Sequence, residues 1–123
     1  MTACSRQLLG RAAEETAARF LESAGLAVIS RNYRRRAGEL DILARTSELL
    51  IVVEVRTRST ERFGGAAASV NRRKQLRIMR AASQLLQSRR DLAKLPVRFD
   101  VMVVQMLQGA PPQVQWIQHA FEA

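Results

Sequence analysis

The sequence predicts an α/β fold, a mixed sheet flanked by helices. Three observations predict it. An amphipathic helix opens the chain, three strand-like runs follow with no helix between them, and a second amphipathic helix precedes two more strand-like runs. A doubly wound sheet would interpose a helix at each step, so that class is excluded. At 123 residues the chain is expected to form one domain, 1–123, with a core that needs neither disulfide nor structural metal. An apolar content of 47% argues against disorder.

The first helix spans Arg6 to Ala24. Leu9, Ala13, Ala17, Phe20 and Ala24 form its apolar stripe, and Gly25 supplies the stop. Glu14 lies at the rim of that stripe, whereas Glu15 lies on the solvated face. Glu14 either snorkels at the edge of the core or faces a site. Leu26 to Tyr33 reads as the first strand, followed by a basic turn, Arg34-Arg35-Arg36-Ala37-Gly38. Glu39 to Arg45 and Leu49 to Thr57 are the next two strands, and the Thr46-Ser47-Glu48 break between them is the size of a hairpin loop. Ser59 to Val70, with Phe63-Gly64-Gly65-Ala66-Ala67-Ala68, reads as a loop at the mouth of any site.

Asn71 is a good N-cap for a second helix reaching Ser88. Leu76, Met79, Ala82, Leu85 and Leu86 are its expected buried face. Arg72, Arg73, Lys74, Arg77 and Arg80 give it five cations, which form either a solvated face or a phosphate-binding one. Arg89 to Lys94 is a polar connection. Val97 to Val104 is apolar enough for a central strand. Gly109-Ala110-Pro111-Pro112 is a turn, and Val114 to Phe121 an edge strand. Trp116 and Phe121 read as covers for the core, and His119 as structural.

The net charge is +9, from 20 basic and 11 acidic residues, and points to a polyanionic partner, nucleic acid before an anionic membrane surface. The first residues lack the apolar run of a signal peptide, and no run approaches membrane-spanning length, so a reducing cytoplasm is expected. A lone Cys4 and a lone His119 exclude an internal disulfide and a cysteine-based zinc site.

The chemistry concentrates between Gly38 and Arg58. In the third strand Ile51, Val53 and Val55 share one face, and Leu50, Val52, Glu54 and Arg56 the other. Glu54 therefore follows Val52 onto a covered face, and Asp41 sits on the adjoining strand. Carboxylates in such places are costly unless paired, hydrogen-bonded or bound to a cation. With only oxygen donors to offer, the pair suits Mg2+ or Mn2+. Asp41, Glu54 and the neighbouring cation Arg56 are the candidate catalytic group.

Gly10-Arg11-x-x-Glu14-x-x-Ala17, Asn32-Tyr33-Arg34, Gly38-Glu39-Leu40-Asp41-Ile42-Leu43, Val53-Glu54-Val55-Arg56-Thr57-Arg58, Val70-Asn71-x-x-Lys74 and Arg98-Phe99-Asp100-Val101 together resemble the YraN-type family of small bacterial proteins. That family is largely uncharacterised and is similar to archaeal Holliday junction resolvases. The resemblance implies a restriction-endonuclease-like αβββαβ core with a PD-(D/E)xK site. It makes Glu14, Asp41 and Glu54 the metal-binding acids and lays the second helix near DNA. It also implies a homodimer, for which the edge strand with Trp116 and Phe121 is the first place to look. Where the family pattern has lysine after Val-Glu-Val, this chain has Arg56. Arginine keeps an electrostatic role but cannot act as a general base.

Three readings follow. The chain is a Mg2+- or Mn2+-dependent endonuclease acting on DNA, branched DNA included; or a nucleic-acid-binding module that keeps the fold without the reaction; or a structural or protein-partner protein whose acids are tied to its arginines. For the first two, Arg34, Arg35, Arg36, Arg58, Arg72, Arg73, Lys74 and Arg77 are the expected nucleic-acid contacts.

Overall fold

The computed structural model describes residues 3–58 and 69–122, with side chains from Leu8 onward. The expected glycine- and alanine-rich loop at 63–68 lies outside the described residues. Helix α1 (Ala3–Ser23) leads into strands β1 (Ala27–Arg35), β2 (Gly38–Arg45) and β3 (Leu50–Thr57). Helix α2 (Arg72–Ser88) follows, then β4 (Val97–Gln105) and β5 (Gln113–Phe121). The five strands lie in chain order in one sheet. Among the described residues only β3 and β4 run parallel; the other three pairings are antiparallel. A parallel pair needs a crossover between its strands, and α2 lies in that connection. This is the mixed sheet and the order helix, three strands, helix, two strands that the sequence predicts, and it contains the αβββαβ core that the resemblance implies.

Each helix covers one face. Against α1 lie Ile42, Ala44, Ile51, Val53, Met102 and Val104, packed on Ala13, Ala17, Ala18 and Leu21. Small alanines let the helix backbone approach the sheet closely. Against α2 lie Leu40, Leu43, Leu50, Val52, Phe99, Val101 and Val103, packed on Ile78, Ala81, Ala82 and Leu85. The alternation along β3 falls as predicted, with Glu54 and Arg56 on the α2 side.

α1 ends in a Schellman turn. Gly25, at φ 94°, donates to the Glu22 carbonyl, and Leu26 donates to that of Leu21. Ala24 therefore lies beyond the helix and is exposed, and Leu21 takes the buried place. Phe20 stays 41% exposed, edge-to-face with Trp116 at 6.2 Å. The face of α2 is also turned from the expected one. Ile78 and Ala81 are buried, Leu76 is exposed, and Met79 and Leu86 are only partly covered. Asn71 caps the helix as predicted, its side chain accepting from the Lys74 amide at 2.8 Å. β4 is covered from Phe99 to Gln105 yet lies second from an edge; β3 holds the middle. β5 is the edge strand, with Phe121 stacked on Phe99 at 5.2 Å.

Candidate active site

The site begins where a ladder stops. β2 and β3 pair from Arg45 and Leu50 as far as Ile42 and Val53. The next rung would join Asp41 to Glu54, but there the strands part. The freed Val55 amide is taken by the Asp41 carboxylate at 2.8 Å. Asp41 thus replaces a backbone partner, which fixes its side chain beside β3.

Glu54 is 4% exposed. Its Oε2 lies 2.5 Å from the Lys74 ammonium and 4.0 Å from the Arg56 guanidinium. Burial, then the charge of Glu54 and a hydrogen bond shared with it, push Asp41 up to about 8. At neutral pH Asp41 therefore keeps its proton. A cavity of about 210 Å³ opens here, lined by Gly38, Glu39, Asp41, Glu54, Lys74, Arg77 and Ile78. The second helix reaches it because α2 lies on β2: a Cβ on Gly38 would meet the Arg77 backbone carbonyl at 3.5 Å.

Glu14 approaches from α1. Burial raises its pKa, while a hydrogen bond from Asn32 and the charge of Arg31 lower it, and Glu39 and Glu54 add to the rise. Asn32 stands at φ 54°, opposite the Asp41 position and between the paired residues Arg31–Ile42 and Tyr33–Leu40. Asparagine tolerates that left-handed conformation better than most residues. Among the described residues, no three acidic, histidine or cysteine side chains converge into a ligand set. The acids meet as the pair Asp41 and Glu54, with Glu14 felt through its charge.

The other cations are spread around this centre. Arg34 is exposed and lies 3.7 Å from Glu39. Arg35 lies over the Tyr33 ring at 4.8 Å, with its Nε donating to the phenol oxygen. Arg36 is exposed in the turn. The Arg58 amide donates to the Val104 carbonyl at 3.0 Å. Arg72 donates to Gln75 and to the Glu122 carbonyl, Arg73 is exposed, and Arg77 lines the cavity. Lys74, read from sequence as one cation of a basic helix, is in contact with Glu54.

The sequence profile of the Uncharacterised protein family UPF0102 matches residues 13–104. The chain belongs to that family. It is 44% identical over 119 residues to a UPF0102 protein of Xanthomonas euvesicatoria pv. vesicatoria, covering 97% of this chain and 95% of the relative. It is 42% identical over 113 residues to one of Hahella chejuensis, covering 92% and 89%. A Pseudomonas aeruginosa member is 42% identical over 115 residues, covering 93% and 92%. The matched span of the family runs from α1 through β4 and so includes Glu14, Asp41, Glu54, Arg56 and Lys74. Sequence reasoning missed the Asn32 contact with Glu14 and the Lys74 contact with Glu54. Both depend on how separate elements pack. Among the described residues, no helix is long and apolar enough to cross a membrane.

Proposed function

We propose that this UPF0102 protein is a Mg2+- or Mn2+-dependent endonuclease that hydrolyses DNA phosphodiesters, branched DNA included. One observation carries the reading: two carboxylates, Asp41 and Glu54, crowd together at a splayed strand pair beside cations and an open cavity. The crowding that pushes the Asp41 pKa up is one a divalent cation would relieve. Their donors are hard oxygens, and magnesium is commonly held by one or two carboxylates with waters and substrate phosphates completing its shell. The residues present therefore fit the ion. Asp41 and Glu54 would hold it, and the nearby charge of Glu14 would add to the attraction. Bound there, the ion would supply an activated water and offset the charge developing on the phosphate.

The chain's own groups do the rest. The Asp41 carboxylate is oriented by the Val55 amide. Arg56, a third exposed, adds positive charge beside Glu54. The first turn of α2 carries Arg72, Arg73 and Lys74 with no acid among them, so side chains and the helix dipole attract a phosphate backbone together.

The test is cleavage of a labelled four-way junction, with linear duplex and single strand beside it, in manganese. Wild type should cut, and Glu54→Ala should lose about 10²–10³-fold in rate or more. Calorimetry should show manganese binding lost in the same variant. Cutting that persists in Glu54→Ala sinks the assignment. Junction retained on a gel but left uncut by wild type favours the binding module instead.

A further inference from the structure

We propose that Lys74, on the first turn of α2, is the lysine of the hydrolytic site: its ammonium contacts the scissile phosphate, and Arg56 serves a neighbouring one. The inference rests on the endonuclease reading and names the residue that acts in it.

Distance is the first argument. Lys74 Nζ lies 2.5 Å from Glu54, whereas Arg56 stands off at 4.0 Å. Both are only partly covered, at 39% and 32% exposure, while Glu54 is buried. The ammonium therefore stands between the buried acid and the cavity it lines.

Helix chemistry is the second. With Asn71 as N-cap, Lys74 occupies the third helical position, where a glutamate or glutamine would close a capping box and an acid would favour the dipole. A lysine there opposes the positive end of the helix. A local rule broken with a distant compensation is the mark of a functional position. The backbone that carries it is held firmly. The Lys74 amide binds Asn71 Oδ1 at 2.8 Å, the Gln75 amide binds the Asn71 carbonyl at 3.0 Å, and Gln75 Nε2 binds the Val70 carbonyl at 2.7 Å.

Composition is the third. Only Lys74 and Lys94 are lysines; the other eighteen basic residues are arginines. A chain that uses arginine nearly everywhere keeps a compact ammonium at this carboxylate. An ammonium is a point charge with three rotatable donors, suited to reach a carboxylate and a phosphate oxygen together.

In the reaction, water's oxygen bonds phosphorus and one P–O ester bond breaks. The departing oxygen takes the proton that water gives up. Lys74 stays an ammonium throughout, donating to a non-bridging oxygen.

The experiment compares junction cleavage in manganese by wild type, Lys74→Gln, Lys74→Arg, Arg56→Gln and Lys94→Gln. Lys74→Gln should lose about 10²–10³-fold, the scale for one charge-stabilising donor, and Arg56→Gln distinctly less. Lys94→Gln makes the same charge change at an exposed position and controls for net charge. Lys74→Arg keeps a cation for Glu54 and so guards the fold; its cleavage should remain well below wild type. Wild-type rates in Lys74→Gln, full rescue by arginine, or a loss in Arg56→Gln as large as in Lys74→Gln would each overturn the proposal. If wild type cuts nothing, the endonuclease reading fails, and Lys74 is judged by junction affinity in chelator. Weaker binding for Lys74→Gln than for Lys94→Gln supports a phosphate contact there; equal binding overturns it.

Discussion

Two buried carboxylates sit one rung apart on neighbouring parallel strands and are treated in opposite ways. Asp100 on β4 lies in register with Val53, the residue before Glu54 on β3. Asp100 is fully buried, and donors saturate it. Arg98 grips it with two bonds of 2.8 Å, the Trp116 indole donates at 2.9 Å, and the His119 amide at 3.0 Å. The last of these holds a residue at φ 53° where the pairing of β4 with β5 is irregular. Glu54 has instead one close cation, a second at 4.0 Å, a rival acid alongside and an open cavity in front. A buried charge with every lone pair satisfied is a structural joint. One left short of partners beside another acid has accepting capacity left for a ligand.

The comparison breaks most visibly at Asp100. Asp100→Ala should cost about 3–5 kcal/mol, the usual loss when one member of a buried ion pair is removed. It strands the Arg98 guanidinium, the Trp116 N–H and the amide of the β5 irregularity together. Urea denaturation measures it. A loss below about 1 kcal/mol, the scale of exposed pairs, would mean that those donors find other partners and that Asp100 is no joint.

The site pair should respond to pH in a way that a saturated carboxylate does not. Asp41 has an ordinary pKa of 3.8 and is pushed up to about 8 in the fold. Between those values the folded chain keeps a proton that the unfolded chain has released. The unfolded state then binds fewer protons, so this group makes stability fall as pH rises from about 4 to about 8. Asp41→Asn removes the slope. In chelator the variant should therefore gain on wild type across that window, at no more than about 1.4 kcal/mol per pH unit. Parallel stability curves for the two proteins would show that Asp41 does not keep its proton in the fold.

The sequence already marked one of these two centres and was silent on the other. Asp41 and Glu54 were legible because a hairpin links β2 to β3, and because strand alternation places Glu54 behind Val52 on a covered face. The order of elements was legible for the same local reasons. The role of Asp100 was not, since two of its donors come from β5 through an irregular stretch of pairing that no periodicity announces. Lys74 was visible only as one cation among five. Its approach to Glu54 depends on the crossover laying α2 over Gly38, a packing decision made far along the chain. The buried face of α2 was misjudged because Leu76, Ile78, Met79 and Leu86 offer two overlapping stripes, and only the sheet beneath selects Ile78.

The smallest expected effect gives the sharpest contrast. Glu54→Gln should leave stability within about 1 kcal/mol of wild type at pH 8 in chelator, although Glu54 is nearly as buried as Asp100. Lys74 is 39% exposed, so it can turn to water when its partner loses charge. The amide keeps the volume and an accepting oxygen, and Asp41 is relieved of a neighbouring charge that raised its pKa. Removing one partner of an ion pair is costly when the charge left behind is buried; here the charge left behind belongs to Lys74, which reaches water. Urea denaturation of Glu54→Gln beside Asp100→Ala decides the matter. A loss for Glu54→Gln as large as that for Asp100→Ala would return Glu54 to the structural joints and leave Asp41 without a partner for any cation. A near-neutral result, with manganese binding lost, would show a charge held in the core at little gain to the fold.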